Sequence, residues 1–440
     1  MQRTLRAAVA AAVTVIVTSL AAVTGAPSGA AALADGAPTA PALRVERLTG
    51  EPVAAKRLIA LDGKKLTVDG EAGAVDIPLE DVVEMSFATA PDAARPASSA
   101  EIAADLWSGE TVLGELRGGD GERVEIDTPL IGRVKIPLEN LAAVRFLQRL
   151  AQAAEPPDLR PRGDTDVIHL IGGDQFSGTL EGFTATTLQA VTTQKDAADI
   201  PYDRLVAVCL MKDEQRAAAK PEGAVRVALR DGTRVLGREP RLEGGRLRMK
   251  SPSGFDVDCA PGDIVALQNV SSRFAFLSDL PTASVTVKPV WEVAAGSPEL
   301  LYAPRFDRSF SGKALRSGGR TWLDGIGVFS GTTLTWNLDG KYREFHTAAG
   351  LDDGAGPLGG VVFQVLVDGK EAWNSGFVRP SKSEGRGATS PVTSPRIPLT
   401  GAKTLSLVVL AGDAEDPYPV QDEADWLGPI LIATERSSVK

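Results

Sequence analysis

Carboxylates and aromatic rings crowd one stretch near the end of the chain, AGDAEDPYPVQDEADWLGPI at residues 411–430. Six acidic side chains fall between residues 413 and 425, around one tyrosine and directly before a tryptophan. Paired carboxylates perform acid–base chemistry on glycosidic bonds, and their oxygens ligate calcium. Beside an aromatic ring they bind sugar hydroxyls. A solvated loop ahead of a final strand has the same composition, so the surrounding elements must decide among these four interpretations.

Residue spacing disfavours catalysis, because Asp422 and Asp425 lie three residues apart with no large catalytic domain around them. The calcium hypothesis joins the stretch to the upstream turn LDDGAG. Its candidate ligands for a structural calcium are Asp352, Asp353, Asp413 and Asp416. The sugar hypothesis combines stacking rings with carboxylate acceptors. Its candidate residues are Trp322, Trp373, Tyr418, Asp422 and Glu423. No other cofactor is predicted.

The segment that contains these candidates alternates apolar and polar residues between Asp-Gly turns. In TLTWNLDG, Trp336 falls on the apolar face of a predicted strand, and Trp426 begins the last strand, so both are predicted core residues. Trp322 and Trp373 flank turns and are predicted either as exposed stacking platforms or as packing residues. His346 is out of phase with the apolar Phe345 and is predicted to face outward. Antiparallel strands without a helical period predict a β-sandwich.

A family resemblance rests on motifs that occur in order in this segment. They include LRSGGRTWLDGIGVFSGTTLTWNLDGKYREFHTAAGLDDGAG, then VVFQVLVDGKEAWNSG, LTGAKTLSLVVLAGDAED and DEADW. Residues 273–434 resemble an NPCBM domain, the "novel putative carbohydrate-binding module". The resemblance implies a galactose-binding-like jelly-roll sandwich of the kind that serves glycoside hydrolases as an accessory sugar-binding module. Two positions depart from the family pattern, because Phe329 and Glu423 stand where relatives often have histidine.

An internal repeat precedes the sandwich. Four segments share an I-P-like ending whose prolines are spaced by 59, 64 and 60 residues, at Pro78, Pro137, Pro201 and Pro261. Hairpin signals with Gly and Asp turns predict short strands in each unit. The predicted units span 43–87, 104–147, 166–211 and 224–270, and they loosely resemble Sm-like or SH3-like small β-barrels. The whole chain is therefore predicted to be all-β, with four barrel-like repeats before the sandwich.

The first residues, MQRTLRAAVAAAVTVIVTSLAAVTGA, have the layout of a secretory signal peptide, here assigned to 1–34. A retained membrane anchor is the alternative, and no later segment is apolar enough to span a bilayer. The formal charge of −10 and the lack of a basic stripe in the sequence predict no nucleic-acid partner. Cys209 and Cys259 either form a disulfide or remain buried thiols.

These observations together predict an exported, non-catalytic carbohydrate-binding protein, located in the periplasm, at the cell surface or in the medium. The repeats would serve as a spacer or docking stalk, and the partner would be a carbohydrate or polysaccharide. The alternative is a cell-envelope scaffold that binds envelope proteins and has lost sugar binding, which the two missing family histidines favour. Neither hypothesis includes an enzymatic activity.

Overall fold

Short alternating runs between glycine turns form strands throughout the chain. The computed structural model describes residues 43–87, 101–152, 165–211, 223–288, 301–380, 390–412 and 420–434. The predicted leader, Tyr418, Asp413 and Asp416 lie outside these described residues. The prediction of an all-β fold is confirmed.

Each of the four predicted units contains five strands. Unit 1 contains β1 to β5, at Leu43–Arg47, Val53–Leu61, Lys65–Gly70, Gly73–Pro78 and Val82–Phe87. Unit 2 contains β6 to β10, at Glu101–Leu106, Thr111–Gly119, Arg123–Thr128, Gly132–Pro137 and Leu141–Phe146, followed by helix α1 at Leu147–Gln152. Unit 3 contains β11 to β15, at Asp166–Leu170, Gln175–Phe183, Thr187–Thr192, Ala197–Pro201 and Leu205–Cys209. Unit 4 contains β16 to β20, at Val225–Leu229, Arg234–Glu243, Arg246–Lys250, Asp256–Cys259 and Ile264–Asn269.

Within each unit the strands run antiparallel, and the last strand pairs back onto the first, as β5 does with β1. A 3₁₀ helix precedes each last strand, at Leu79–Asp81, Leu138–Asn140, Tyr202–Arg204 and Pro261–Asp263. Units also join through their last strands, because β5 pairs β20 and β10 pairs β15. The strands of all four units therefore form one continuous hydrogen-bonded sheet system.

The C-terminal segment forms two main antiparallel sheets, one of seven strands and one of five, and β24 and β25 form a separate two-stranded sheet. Its strands β21 to β27 lie at Phe274–Phe276, Ser284–Val287, Arg305–Phe306, Leu315–Ser317, Arg320–Trp322, Gly325–Phe329 and Thr332–Asn337. Strands β28 to β34 lie at Tyr342–Leu351, Val361–Val367, Lys370–Val378, Val392–Thr393, Ile397–Pro398, Thr404–Ala411 and Glu423–Ala433. A further 3₁₀ helix spans Leu277–Asp279.

The core between these sheets confirms two sequence predictions. Trp336 and Trp426 are both fully buried. Phe363 of the five-stranded sheet meets Trp426 of the seven-stranded sheet edge to face, with ring centroids 5.0 Å apart. An aromatic pair in this geometry stabilises the packing of two layers by more than the burial of its apolar area alone. The two sheets therefore pack as the predicted sandwich.

Unit 1 lies directly against the sandwich. Arg396 donates to three carbonyl oxygens of unit 1, those of Arg47, Leu48 and Gly50, at 2.9 to 3.1 Å. His346 is buried rather than exposed, because its Nε2 atom lies 3.1 Å from Oε1 of Glu46. His346 therefore faces outward from the sandwich core, as predicted, and unit 1 covers it.

The two cysteines do not form a disulfide, which is one of the two alternatives that the sequence leaves open. Cys209 ends β15 in unit 3 and Cys259 ends β19 in unit 4, and both are buried thiols with no bond between them. Burial raises the pKa of Cys259 to about 12, so this thiol stays protonated at neutral pH. Of the two alternatives, the structure contains the buried thiols.

Candidate functional site

The predicted stacking platform Trp373 lies at the margin of the sandwich core. It belongs to β30, pairs with Val365 of β29, and is half-buried. Its ring meets Trp426 in a T-shaped contact with centroids 6.4 Å apart. Packing accounts for this side chain as the structure places it, and a contact with ligand remains a prediction.

Trp322 is half-buried where β25 meets the first and fourth units. The guanidinium of Arg320 lies 5.3 Å from the centre of its ring, and its Nε1 atom donates to the carbonyl oxygen of Ser317 at 3.4 Å. The side chain borders two cavities, of 130 Å³ and 510 Å³. Trp322 thus lies beside cavities next to the repeats, whereas Trp373 packs at the margin of the sandwich core, so the two rings do not form one site.

The two remaining described sugar candidates follow one another in sequence but differ in role. Asp422 is fully buried, and its Oδ1 atom accepts the N–H of Gly360 at 3.0 Å, which fastens the loop before β29. Asp425 is also fully buried, so this carboxylate pair does not face an open cleft. Glu423 is half-buried at the start of β34, opposite Phe329 of β26.

The predicted approach of the LDDGAG turn to the acidic stretch does occur. Pairing of β28 with β34 places Leu351 opposite Ala424, and the N–H of Asp352 donates to the carbonyl oxygen of Glu423 at 3.1 Å. Burial, followed by the nearby charge of Asp352, raises the pKa of Glu423 and raises that of Asp425 well above its ordinary value. Four carboxylates, those of Asp352, Asp353, Glu423 and Asp425, therefore share this corner.

Backbone donors already occupy much of the proposed calcium ligand set. Oδ1 of Asp352 accepts the N–H of Gly354 at 2.8 Å, and Oδ2 of Asp353 accepts the N–H of Gly319 at 3.0 Å. Within the part of the chain that the structure describes, three carboxylates close enough to share a cation occur elsewhere, at Asp279, Asp307 and Asp324. Asp352 and Asp353 act here as turn acceptors, and calcium binding by them stays a prediction.

Sequence reasoning did not find a cluster of three half-buried aromatic rings at the same corner, Tyr302, Phe310 and Phe329, which we call the aromatic cluster. Ring centroids lie 6.2 Å apart between Tyr302 and Phe310, 5.2 Å between Tyr302 and Phe329, and 5.3 Å between Phe310 and Phe329. Glu423 lies across the strand pair from Phe329, and the charge of Lys313 is near enough to lower the pKa of Glu423 against the effect of burial.

Half-buried aromatic rings beside a carboxylate and an ammonium group are a combination of side chains that suits sugar binding. The aromatic cluster had a signal in the sequence, since LYAPRFDRSF at 301–310 places three aromatic residues among ten in a chain that is 5% aromatic. Phe329 lies well downstream of that run, so only the pairing of β23 with β26 brings the segment beside it.

The comparisons with known proteins identify the domain family of the C-terminal segment. Residues 275–432 match the NPCBM/NEW2 domain family, a family of carbohydrate-binding modules, so this part of the chain is an NPCBM domain. The chain is 31% identical over 125 residues to alpha-1,3-galactosidase B of Akkermansia muciniphila. That match covers 28% of this chain and 14% of the galactosidase, so the chain spans a small part of that relative.

Two similar solved structures come from bacterial enzymes. The CBM51 module from GH95 of Clostridium perfringens, solved with methyl-galactose, is 23% identical, with a TM-score of 0.29, covering 36% of this chain and 99% of the module. The tandem CBM51 modules of a family 98 glycoside hydrolase from Streptococcus pneumoniae are 15% identical, with a TM-score of 0.28, covering 76% and 88% of the respective chains. In the described residues, no helix has the length and apolar character needed to cross a bilayer.

Proposed function

Since residues 275–432 form an NPCBM domain, we propose that the chain is an exported, non-catalytic protein that binds carbohydrate. The observation that carries the proposal is the aromatic cluster beside Glu423. The rings supply apolar faces for sugar C–H groups, and the carboxylate accepts sugar hydroxyls. The cluster lies at the place in the sheet where Phe329 and Glu423 depart from the family pattern, so its recognition groups would differ from those of relatives.

The repeats fit this proposal as a rigid support. Unit 1 packs against the sandwich through an apolar contact and through Arg396, and the units are joined to one another by strand pairing. A sandwich held in this way would present its sugar site in a fixed orientation, and the repeats would act as the predicted spacer or docking stalk. Signal-directed export remains a part of the proposal that rests on the sequence.

The test is calorimetric titration of the full chain with methyl galactoside, chosen because a galactosidase is among the relatives, preceded by a glycan-array screen. We expect Phe310→Ala and Tyr302→Ala to weaken binding about tenfold each, through loss of a stacking face. Phe306→Ala is the matched control, because Phe306 lies four residues from Phe310 and is 38% exposed outside the cluster.

Two results would redirect the proposal. Loss of binding in Trp373→Ala but not in Phe310→Ala would place the sugar at the residues predicted from sequence. If the folded protein bound none of the neutral and acidic glycans, the proposal of sugar binding would be wrong. The second function, a cell-envelope interaction scaffold, would then hold, and it is favoured by the replacement of both family histidines by Phe329 and Glu423.

A further inference from the structure

A cavity of 510 Å³ lies where units 2 and 4 meet the sandwich. Its volume falls within the range of about 300–1,000 Å³ usual for small-ligand pockets. All three parts of the fold contribute basic side chains to its lining. The lining arginines are Arg145, Arg230, Arg234, Arg308 and Arg316. This concentration of positive charge contrasts with the formal charge of −10 for the whole chain.

Two of these arginines are neutralised within their own units. Arg145 forms a bidentate pair with Asp105 at 2.6 and 2.8 Å, and Arg230 meets Asp263 at 2.7 Å. Such fork-to-carboxylate pairs fix the guanidinium and satisfy its charge. These two side chains therefore shape the wall of the cavity without requiring a ligand.

The other three arginines, Arg234, Arg308 and Arg316, take part in no salt bridge among the described residues. Within the described ranges, the side chain of Arg308 donates only to the carbonyl oxygen of Gly312, at 3.3 Å. Among the described residues, the one carboxylate in the lining is Asp307, which lies close to Asp279 and Asp324. Burial raises the pKa of Asp307, and the charge of Arg234 acts against that rise, so Arg234 is the one of these three arginines with a nearby counter-charge in the lining. The cavity thus keeps guanidinium donors and positive charge available to a ligand.

The lining also contains apolar side chains. Trp322 and Leu323 of the sandwich face the cavity together with Leu113 of unit 2 and Val265 of unit 4. A saccharide ring has an apolar face of C–H groups that packs on such a wall. A carboxylate or sulfate on the ring would then meet the guanidinium forks, which match planar oxyanions in geometry.

We propose that this cavity binds an anionic saccharide unit, a sugar ring that carries a carboxylate, between the repeats and the sandwich. The site shares no residue with the aromatic cluster, so it goes beyond the proposed neutral-sugar function and does not depend on it. It also gives units 2 and 4 a role in recognition. A ligand held by three parts of the fold stabilises their association, since binding to the folded state alone raises the melting temperature.

The test uses the full chain at fixed ionic strength with three probes: sodium glucuronate, glucose as the uncharged match, and sodium sulfate as an oxyanion without a sugar ring. We expect glucuronate to bind by calorimetry and to raise the melting temperature, and glucose not to bind at this cavity. Arg234→Gln and Arg316→Gln should each weaken glucuronate binding about tenfold or more, because each removes a charged hydrogen bond.

Arg57→Gln is the matched control, because its side chain is 74% exposed in unit 1, outside the cavity lining. Circular dichroism verifies that each variant is folded. If Arg234→Gln unfolds, Arg308→Gln replaces it as the test variant, because the side chain of Arg308 is exposed. Unchanged glucuronate affinity in folded Arg316→Gln and Arg308→Gln would overturn the proposal, as would equal binding of glucose. If sulfate bound as tightly as glucuronate, the cavity would be an oxyanion site that does not recognise the sugar ring, and the proposal would be overturned.

Discussion

Aspartates of the sandwich differ in proton affinity because their surroundings differ. Asp425 is fully buried, and burial together with the charge of Asp352 raises its pKa well above the ordinary value. Asp368 is exposed, and its Oδ1 atom accepts the N–H groups of Lys403 and Thr404, both at 2.9 Å, which lowers its pKa. The same residue type therefore stabilises the fold in opposite ranges of pH.

The first prediction concerns Asp425→Asn. A folded-state pKa above the unfolded value means that the carboxyl's contribution to stability is full at low pH and is lost as pH rises through the folded pKa. Replacing the carboxyl by a neutral amide should raise the melting temperature at pH 7 by about 2–4 °C. The gain should shrink toward pH 4, as measured by calorimetric melting across that range.

Asp368→Asn provides the comparison of opposite sign. Its lowered pKa contributes stability above the unfolded value, which is lost as pH falls through the folded pKa. The variant should therefore melt below the wild type at pH 7 and approach it in acid. A uniform, pH-independent loss in Asp425→Asn would contradict the buried-charge explanation.

At the scale of the element, the second strands of units 2 and 3 approach the third strands with which they pair very closely. Gly114 and Gly178 occupy equivalent positions, each five residues after a turn glycine, at Gly109 and Gly173. A Cβ atom at Gly114 would lie 2.5 Å from the carbonyl oxygen of Asp127, and one at Gly178 would lie 2.4 Å from that of Val191. Backbone carbonyls cannot move aside as a flexible side chain can.

The second prediction is therefore that Gly114→Ala and Gly178→Ala each destabilise the protein by about 1–3 kcal/mol, the usual effect of overpacking. Urea unfolding measures the change. Gly262→Ala is the matched control, since no atom lies within 4 Å of its Cβ position. Equal losses of stability in Gly262→Ala and Gly114→Ala would show that the loss comes from glycine's backbone freedom and not from the close approach of the paired strands.

At the scale of the whole molecule, the sandwich and unit 1 share a mixed polar and apolar interface. Leu48 and Val83 of unit 1 pack with Phe276, Ile430 and other residues of the sandwich. The hydrogen bond and charge of His346 lower the pKa of Glu46 although burial acts to raise it. Because these polar groups are buried while the two parts are in contact, each depends on a partner across the interface for its hydrogen bonds.

The third prediction is that Arg396→Ala loosens this interface. The change removes the donors to the carbonyl oxygens of Arg47, Leu48 and Gly50 and leaves those acceptors poorly paired. We expect a loss of about 1–3 kcal/mol, with faster amide hydrogen exchange in residues 43–52 and unchanged exchange in the sandwich core.

Arg379→Ala is the control for that experiment, because Arg379 is an exposed sandwich arginine that lies 5.7 Å from the ring centre of Phe377. If hydrogen exchange in unit 1 is the same in both variants, the guanidinium of Arg396 does not hold the interface. Unit 1 would then depend on its apolar contact and on the other hydrogen bonds across the interface, such as that between His346 and Glu46.

Much of the architecture follows from local pattern. Alternation around Asp-Gly turns predicted the sandwich strands and the burial of Trp336 and Trp426, because a strand with one buried face carries that face in its own sequence. The candidate site was less predictable. Tyr302 and Phe310 lie in a segment without periodicity, and only strand pairing brings them to Phe329.

The sequence by itself determined the all-β class, the spacing of the repeats and the NPCBM domain, since each is encoded in short-range alternation, turn residues or an ordered set of motifs. Only the tertiary structure decided which faces are covered. His346 is buried by Glu46, a residue 300 positions away, and arginines from separate parts of the chain line one cavity. The periodicity of a strand predicts which side chains point away from the core of their own domain. Whether those side chains are exposed to solvent depends on what else packs against that face.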